Sequence, residues 1–284
     1  MTLLWPRVVE SLQHGEPCVV VTVERAEGST PREEGAAMAV TAQGYFGTIG
    51  GGTLEWHAMA EAQSMLGKPQ ARKRMTKLLG PDLGQCCGGR VNLSLQSLTK
   101  DDLAFAKASA EQDVQQNAAR QMHLGLYGAG HIARALVLAT APLPVQVTWW
   151  DERQNAFPAL TPENVSCRHG TFEVGEDLEA ILVMTHSHSL DFEIVDEALR
   201  QPNISFVGLI GSETKRARFV NRLKAKGHGD EALQRLHCPI GVFGLVSKEP
   251  AIIAASVAVQ VLQWQEAAKS VKTPYRESAQ ISGH

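Results

Sequence analysis

The sequence predicts an α/β protein: an N-terminal mixed α/β domain followed by a Rossmann-like, doubly wound parallel-sheet domain. Three observations carry this prediction. From Met122 onward, apolar runs alternate with segments of helical period, the βαβ rhythm of a parallel sheet. The turn Gly128-Ala129-Gly130-His131-Ile132-Ala133 joins the first of these runs to the first of these helices, and Asp151 stands at the end of the second run. Before residue 100 the pattern differs, with short strand-like runs around a single helix.

Taken in order, residues 17–23 (Cys-Val-Val-Val-Thr-Val after Pro17) form a β run. Two short strands, 36–40 and 44–49, flank a Gln43-Gly44 turn. Gly50-Gly51-Gly52 precedes a helix over 53–66, which Gly67-Lys68-Pro69 ends. Residues 88–98 return to strand character, with Val91, Leu93 and Leu95 alternating with polar residues. The stretch 99–120, rich in Asp, Ala, Gln and Lys, reads as an exposed helix and linker. The second domain has strands at 122–127, 145–150, 165–168, 180–184 and 204–208. Its helices fall at 132–139, 190–200 and 213–226, with a last apolar helix at 250–266 that carries Pro250 in its first turn. The predicted organisation is a domain over 1–100, a helical linker over 101–120, the Rossmann-like domain over 121–268 and a polar tail over 269–284.

At 284 residues the chain is long enough to build two separate cores. A net charge of −3 gives no basic footprint for nucleic acid or an anionic membrane. No apolar run is long enough to span a bilayer, and Met1 to Arg7 lacks the character of a signal peptide, so a cytoplasmic protein is expected. The five cysteines, Cys18, Cys86, Cys87, Cys167 and Cys238, are odd in number and irregularly spaced, which argues against a disulfide framework. No C-x-x-C pair suggests a structural zinc site.

The chemistry is expected at one edge of the second sheet. With strand order 3-2-1-4-5, strands one and four are neighbours, and ligands bind beyond their carboxyl ends. Strand one ends at Gly128-Ala129-Gly130-His131, strand four at Thr185-His186-Ser187-His188. Two glycines let the backbone turn tightly against a phosphate, and the helix N-terminus behind them offers free N–H groups. Asp151 is placed to hold a ribose hydroxyl or another polar ligand group. Gly211-Ser212, followed by Lys215 and Arg216, flanks the same edge after strand five. His186-x-His188-x-x-Asp191 has the look of metal ligands, but histidines that hydrogen-bond a ligand fit it better, with Asp191 as a helix cap. Outside this edge, Gly50-Gly51-Gly52 reads as an anion nest or a flexible turn, with Glu55 and His57 on a solvated face. Cys86-Cys87-Gly88-Gly89-Arg90 places two thiols in a Gly-rich loop beside a cation, a setting for a reactive thiolate or for a small-residue turn.

Several of these segments together resemble the XdhC/CoxI family. The resemblance rests on Gly47-Thr48-Ile49-Gly50-Gly51-Gly52-Thr53-Leu54-Glu55 and Gln85-Cys86-Cys87-Gly88-Gly89 in the first domain. In the second it rests on Gly128-Ala129-Gly130-His131, Asp151-Glu152-Arg153, Thr185-His186-Ser187-His188, Gly208-Leu209-Ile210-Gly211-Ser212, Cys238-Pro239-Ile240-Gly241 and Lys248-Glu249-Pro250-Ala251. The cysteine doublet and Gly-Gly-Gly-Thr-Leu-Glu look most similar to the branch that serves xanthine dehydrogenase.

The resemblance implies a maturation chaperone, more a cofactor-insertion factor than an enzyme. It would bind molybdenum cofactor (a phosphate-bearing molybdopterin), protect it, support its sulfuration by a cysteine desulfurase, and help insert it into apo xanthine dehydrogenase. On that reading Gly50, Gly51, Gly128, Gly130, His131, Gly211 and Ser212 hold phosphate and pterin. Asp151, His186 and His188 supply polar contacts, and Cys86 or Cys87 contacts molybdenum. The ligand would then lie between the two domains or across a homodimer interface. No nucleic acid or membrane partner is expected. The alternative is an NAD(P)-dependent oxidoreductase, which uses the same glycine fingerprint, with His186 or His188 as proton donor or acceptor.

Overall fold

The computed structural model describes residues 3–79 and 88–272. They divide into two compact units between Ala119 and Arg120. The first unit contains α1 (Leu4–Gln13), β1 (Cys18–Glu27), β2 (Ala37–Val40), β3 (Tyr45–Gly47), α2 (Gly52–Met65), β4 (Arg72–Leu78), β5 (Arg90–Leu98) and α3 (Leu103–Arg120). Its five strands form one antiparallel sheet of order β3-β2-β1-β5-β4.

β1 lies at the centre of this sheet and is buried on both faces. Val19, Val21 and Val23 pack with Leu54, Ala58 and Ala62 of α2. Cys18 and Val20 point the other way, into a cluster with Val8 and Leu12 of α1 and Ala106 of α3. Burial on both sides explains why this strand reads as an unbroken apolar run and not as an alternation. Two elements of this unit were not expected from the sequence. One is α1, whose Pro6 sits in the first turn where a missing N–H costs nothing. The other is β4, Arg-Lys-Arg-Met-Thr-Lys-Leu, an edge strand held by its ladder with β5. Its basic residues suit an exposed edge, but they remove the apolar signal by which strands are recognised.

The second unit contains β6 (Met122–Tyr127), α4 (His131–Thr140), β7 (Val145–Asp151), β8 (Val165–His169), β9 (Ala180–Val183), α5 (His188–Arg200), β10 (Phe206–Leu209), α6 (Glu213–Ala225), α7 (Asp230–Gln234), β11 (Leu236–His237) and α8 (Pro250–Lys272). Its sheet has order β11-β10-β9-β6-β7-β8, and every pairing is parallel. The Rossmann-like sheet is therefore the expected one, extended by the two-residue strand β11, which is too short to carry a pattern. α4 and α8 cover one face through Ala133, Leu136, Ala254 and Val257. α5 and α6 cover the other through Phe192, Val195, Phe219 and Leu223. α8 runs to Lys272, past the expected end at 266 and into the segment expected to be a polar tail. Among the described residues, no helix is long and apolar enough to cross a membrane.

Candidate functional site

β6 and β9 lie side by side, with Leu124 opposite Ala180 and Tyr127 opposite Val183. Their connections leave in opposite directions, so a crevice opens beyond their carboxyl ends. The chain leaving β6 can turn here only at a glycine. Gly128 has φ +102°, and a Cβ on it would come within 2.4 Å of the Met184 carbonyl oxygen. Trp149 Nε1 donates to the Gly128 carbonyl at 2.9 Å and fixes the turn from below. Gly130, two residues on, is different. It is the N-cap of α4, no side chain caps that helix, and a Cβ on Gly130 would meet nothing within 4 Å. The N-terminus of α4 therefore faces open space with its amides uncapped, a setting that favours an anion.

Asp151 ends β7 and is buried. Its carboxylate accepts from the Ala129 N–H at 2.7 Å, from the Arg153 N–H at 3.0 Å, and from Arg153 Nε and one terminal guanidinium nitrogen at 2.8 Å each. Burial pushes its carboxyl up, but these hydrogen bonds outweigh burial and hold it at about 2. Asp151 thus ties the glycine turn to the end of β7, and its oxygens are already engaged by the chain itself.

A cavity of about 350 Å³ lies at this switch point. Its apolar side comes from Tyr127, Trp150 and Phe172 together with Leu190 and Ile194 of α5. Tyr127 donates its hydroxyl to the Glu173 carbonyl at 2.8 Å, and its ring meets Phe172 edge-on. The polar side comes from Asp151, Glu152, Thr171, Thr185, His186 and Glu193. His186 Nε2 lies 3.3 Å from Glu152 Oε1, with both side chains about half exposed.

The loop after β9 is held by Asp191 in the first turn of α5. Its Oδ1 accepts from the Thr185 hydroxyl at 2.7 Å and the Thr185 N–H at 3.1 Å. Its Oδ2 accepts from Lys215 Nζ at 2.6 Å, and Lys215 also donates to the Ile210 carbonyl at 2.9 Å. Both charges are nearly out of solvent. Asp191 therefore binds the loop and α6, and the helix cap of α5 is Ser187, which accepts from the Leu190 N–H. Among the described residues, no group of three or more His, Cys, Asp or Glu is placed to hold a metal ion.

Residues 124–261 match the XdhC Rossmann domain, and residues 11–76 match the XdhC and CoxI family. The chain belongs to the XdhC and CoxI family. It is similar to the uncharacterized protein YqeB of Escherichia coli (strain K12), at 29% identity over 258 residues. That alignment covers 87% of this chain and 43% of the relative, so the chain spans less than half the length of that protein. A crystal structure described as a xanthine dehydrogenase from Bacillus halodurans has the same fold, with a TM-score of 0.76 at 20% identity, covering 96% of this chain and 98% of that one.

In this XdhC Rossmann domain, the cavity brings together Gly128, Asp151 and His186 from the residues singled out in the sequence. Gly130 and His131 form the adjoining helix start and do not line it. His188 is exposed in the first turn of α5, also outside the lining. Gly211 lines a separate cavity of about 210 Å³ with Pro239, Ile240, Leu245, Ile252 and Ser256. Ser212 caps its own helix by accepting from the Lys215 N–H at 3.3 Å, and the Lys215 chain crosses the space above Gly211.

In the first unit, the amides of Ile49 and Gly50 point at the Glu55 carboxylate at 2.8 and 3.2 Å, and the Thr48 hydroxyl donates to it as well. Burial raises the Glu55 carboxyl, but the Thr48, Gly51, Ile49 and Gly50 hydrogen bonds bring it below its usual range. Glu55 is buried, so the solvated-face expectation is corrected: it is the anion that occupies the Gly50-Gly51 nest. Cys86 and Cys87 lie outside the described residues. The other three thiols are structural in setting. Burial pushes Cys18 up to about 12, Cys238 to about 11, and raises Cys167.

Sequence motifs missed the loop after β8, which contributes Gly170, Thr171 and Phe172, and missed Glu193 on α5. His169-Gly170-Thr171, with Gly170 at φ +95°, is a strand-ending turn legible in outline, but nothing in sequence brings it to the β6 and β9 ends.

Proposed function

We propose that this chain is a maturation factor for xanthine dehydrogenase that binds molybdenum cofactor, protects it, supports its sulfuration by a cysteine desulfurase and helps insert it into the apoenzyme. Family membership supports the client. The observation that carries the ligand is the switch-point cavity with an aromatic wall beside the uncapped N-terminus of α4. The residues present fit the two ends of a phosphate-bearing pterin. Tyr127, Trp150 and Phe172 offer apolar surface to a flat ring, and the Gly130 turn and α4 offer N–H groups to a phosphate. When bound, the cofactor supplies a molybdenum centre held by its dithiolene.

The chain's own contribution is binding and exclusion of water. Gly128 brings the turn against β9, Asp151 holds the turn rigid, and His186 with Glu152 forms a polar rim that can exchange hydrogen bonds with the ligand. Cys86 and Cys87 are the proposed thiol contacts to the metal. Because Ala129 and Arg153 already engage Asp151, the acidic residue that a dinucleotide ribose would use, the NAD(P)-dependent oxidoreductase reading draws less support.

The test is uptake by the full chain. Protein incubated with released molybdenum cofactor is separated, denatured and oxidised, and its pterin fluorescence is measured beside an NADH titration. Retention of about one pterin per chain with NADH weaker than millimolar is the expected result. Tight NADH binding without pterin would overturn the reading. A Cys86→Ala, Cys87→Ala variant is expected to take up pterin but to yield unsulfurated cofactor; normal maturation by it would remove the thiols from the proposal.

A further inference from the structure

We propose that Glu193 is the specificity-determining residue of this cavity, its carboxylate reading the 2-amino-4-oxopyrimidine edge of the bound ring. The inference rests on the cavity holding the ring of the ligand, as proposed above.

It follows from which polar groups of the cavity remain available. The Tyr127 hydroxyl is spent on the Glu173 carbonyl, so this side chain offers the ligand only its apolar ring. Asp151 is saturated by Ala129 and Arg153. Thr185 is taken by Asp191 and by the Ser187 carbonyl. Glu152 pairs with His186 at the half-exposed rim, so a ligand meets its carboxylate there as one member of that pair. Thr171 and Glu193 line the same cavity and make no hydrogen bond or ion pair among the described residues, and of the two only the exposed Glu193 offers a pair of acceptor oxygens. It stands three residues from Leu190 and next to Ile194, and all three line the cavity, so α5 presents an acceptor pair beside an apolar surface.

An ionised carboxylate accepts two parallel N–H bonds, the geometry that makes it a partner for guanidinium groups. A 2-amino-4-oxopyrimidine presents the same pair: a ring N–H beside an exocyclic amino group. Pterins and guanine both carry this edge. Adenine does not, because its amino group stands beside a ring nitrogen lone pair, which would confront one carboxylate oxygen. The cavity is therefore selective for a pterin or guanine ring over the adenine of a dinucleotide.

The test uses the full-length chain and calorimetric titration with four probes: 6-hydroxymethylpterin, 6-hydroxymethyllumazine (which has an oxo group in place of the 2-amino group), GMP and IMP. Wild type is expected to favour the pterin over the lumazine by roughly 10- to 100-fold, the range for a lost charge-assisted hydrogen bond. The Glu193→Gln variant is expected to lose that preference, whereas Glu197→Gln on the same helix retains it. Thermal melts check that both variants fold. Equal wild-type binding of pterin and lumazine, or a preference that survives Glu193→Gln, overturns the assignment and leaves the cofactor reading standing. A preference for GMP over IMP without pterin binding supports the edge-reading role but overturns the pterin ligand. Failure to bind any of the four at millimolar concentration overturns both.

Discussion

Gly128 and Gly130 stand two residues apart in one turn and answer opposite steric demands. Gly128 is required by the chain itself, because its positive φ and the Met184 carbonyl leave no room for a side chain. A Gly128→Ala substitution is expected to cost about 3 kcal/mol in chemical denaturation, from strain and overpacking together. Gly130 has an ordinary φ and open space around it. Gly130→Ala is expected to leave stability within about 0.5 kcal/mol, since a weaker N-cap and a stiffer unfolded chain nearly cancel. The same variant is expected to weaken ligand uptake, because a methyl group enters the space where a phosphate would approach. If Gly130→Ala bound pterin as wild type does, α4 would not be the phosphate site.

Among the elements, α5 and α6 are coupled through one buried ion pair. Lys215 reaches back over Gly211 to Asp191, which in turn holds the Thr185 end of the His186 loop. Removing one member of such a pair leaves the other charge buried without its partner, and Lys215→Met is expected to destabilise the protein by about 3 kcal/mol. The double variant Lys215→Met, Asp191→Asn should recover much of that loss, and a double-mutant cycle measures the coupling directly. Additive effects of the two substitutions would show that the pair carries no interaction energy. The N-termini at this sheet edge also divide by their caps. Ser187 and Ser212 serve α5 and α6, while α4 has no side-chain cap.

For the molecule as a whole, two properties follow from how buried charges and cores are distributed. Asp151 and Asp196 both titrate at about 2, and both lie in the second unit. Asp196 is pushed up by burial, but Lys226, His228 and Arg200 together bring it down. Their folded values lie below the usual carboxylate value of about 4, so the stability they contribute is complete above that pH. It is lost as pH falls from about 4 to about 2. Acid titration followed by circular dichroism should show this loss, and Asp196→Asn should flatten it. Among the described residues, no core cluster mixes residues from before and after the division at 119. A fragment over 120–284 is therefore expected to melt cooperatively by itself; a fragment without a transition would show that its core is incomplete.

The order of parallel strands, the turn at Gly128 and the placement of the β6 and β9 ends were legible because each rests on local chemistry. Periodicity marks a buried strand, a glycine pair marks a tight turn, and parallel crossovers have one hand. β4 and β11 were not legible, since one is a basic edge strand and the other two residues long, and both exist only by pairing with a neighbour. The motifs likewise named Asp151, Asp191, Glu55, Gly50 and Gly51 as groups of interest but not their partners. Folding turned Asp151 and Asp191 inward onto Arg153 and Lys215, and set Glu55 in the glycine nest. It left Glu193, which no motif marks, facing the cavity. By itself, then, the sequence determined the architecture and the end of the sheet at which the crevice opens. Only the tertiary structure decided which charges are spent internally and which are left without a partner, because that depends on partners distant in the chain, and a buried charge takes the nearest one available.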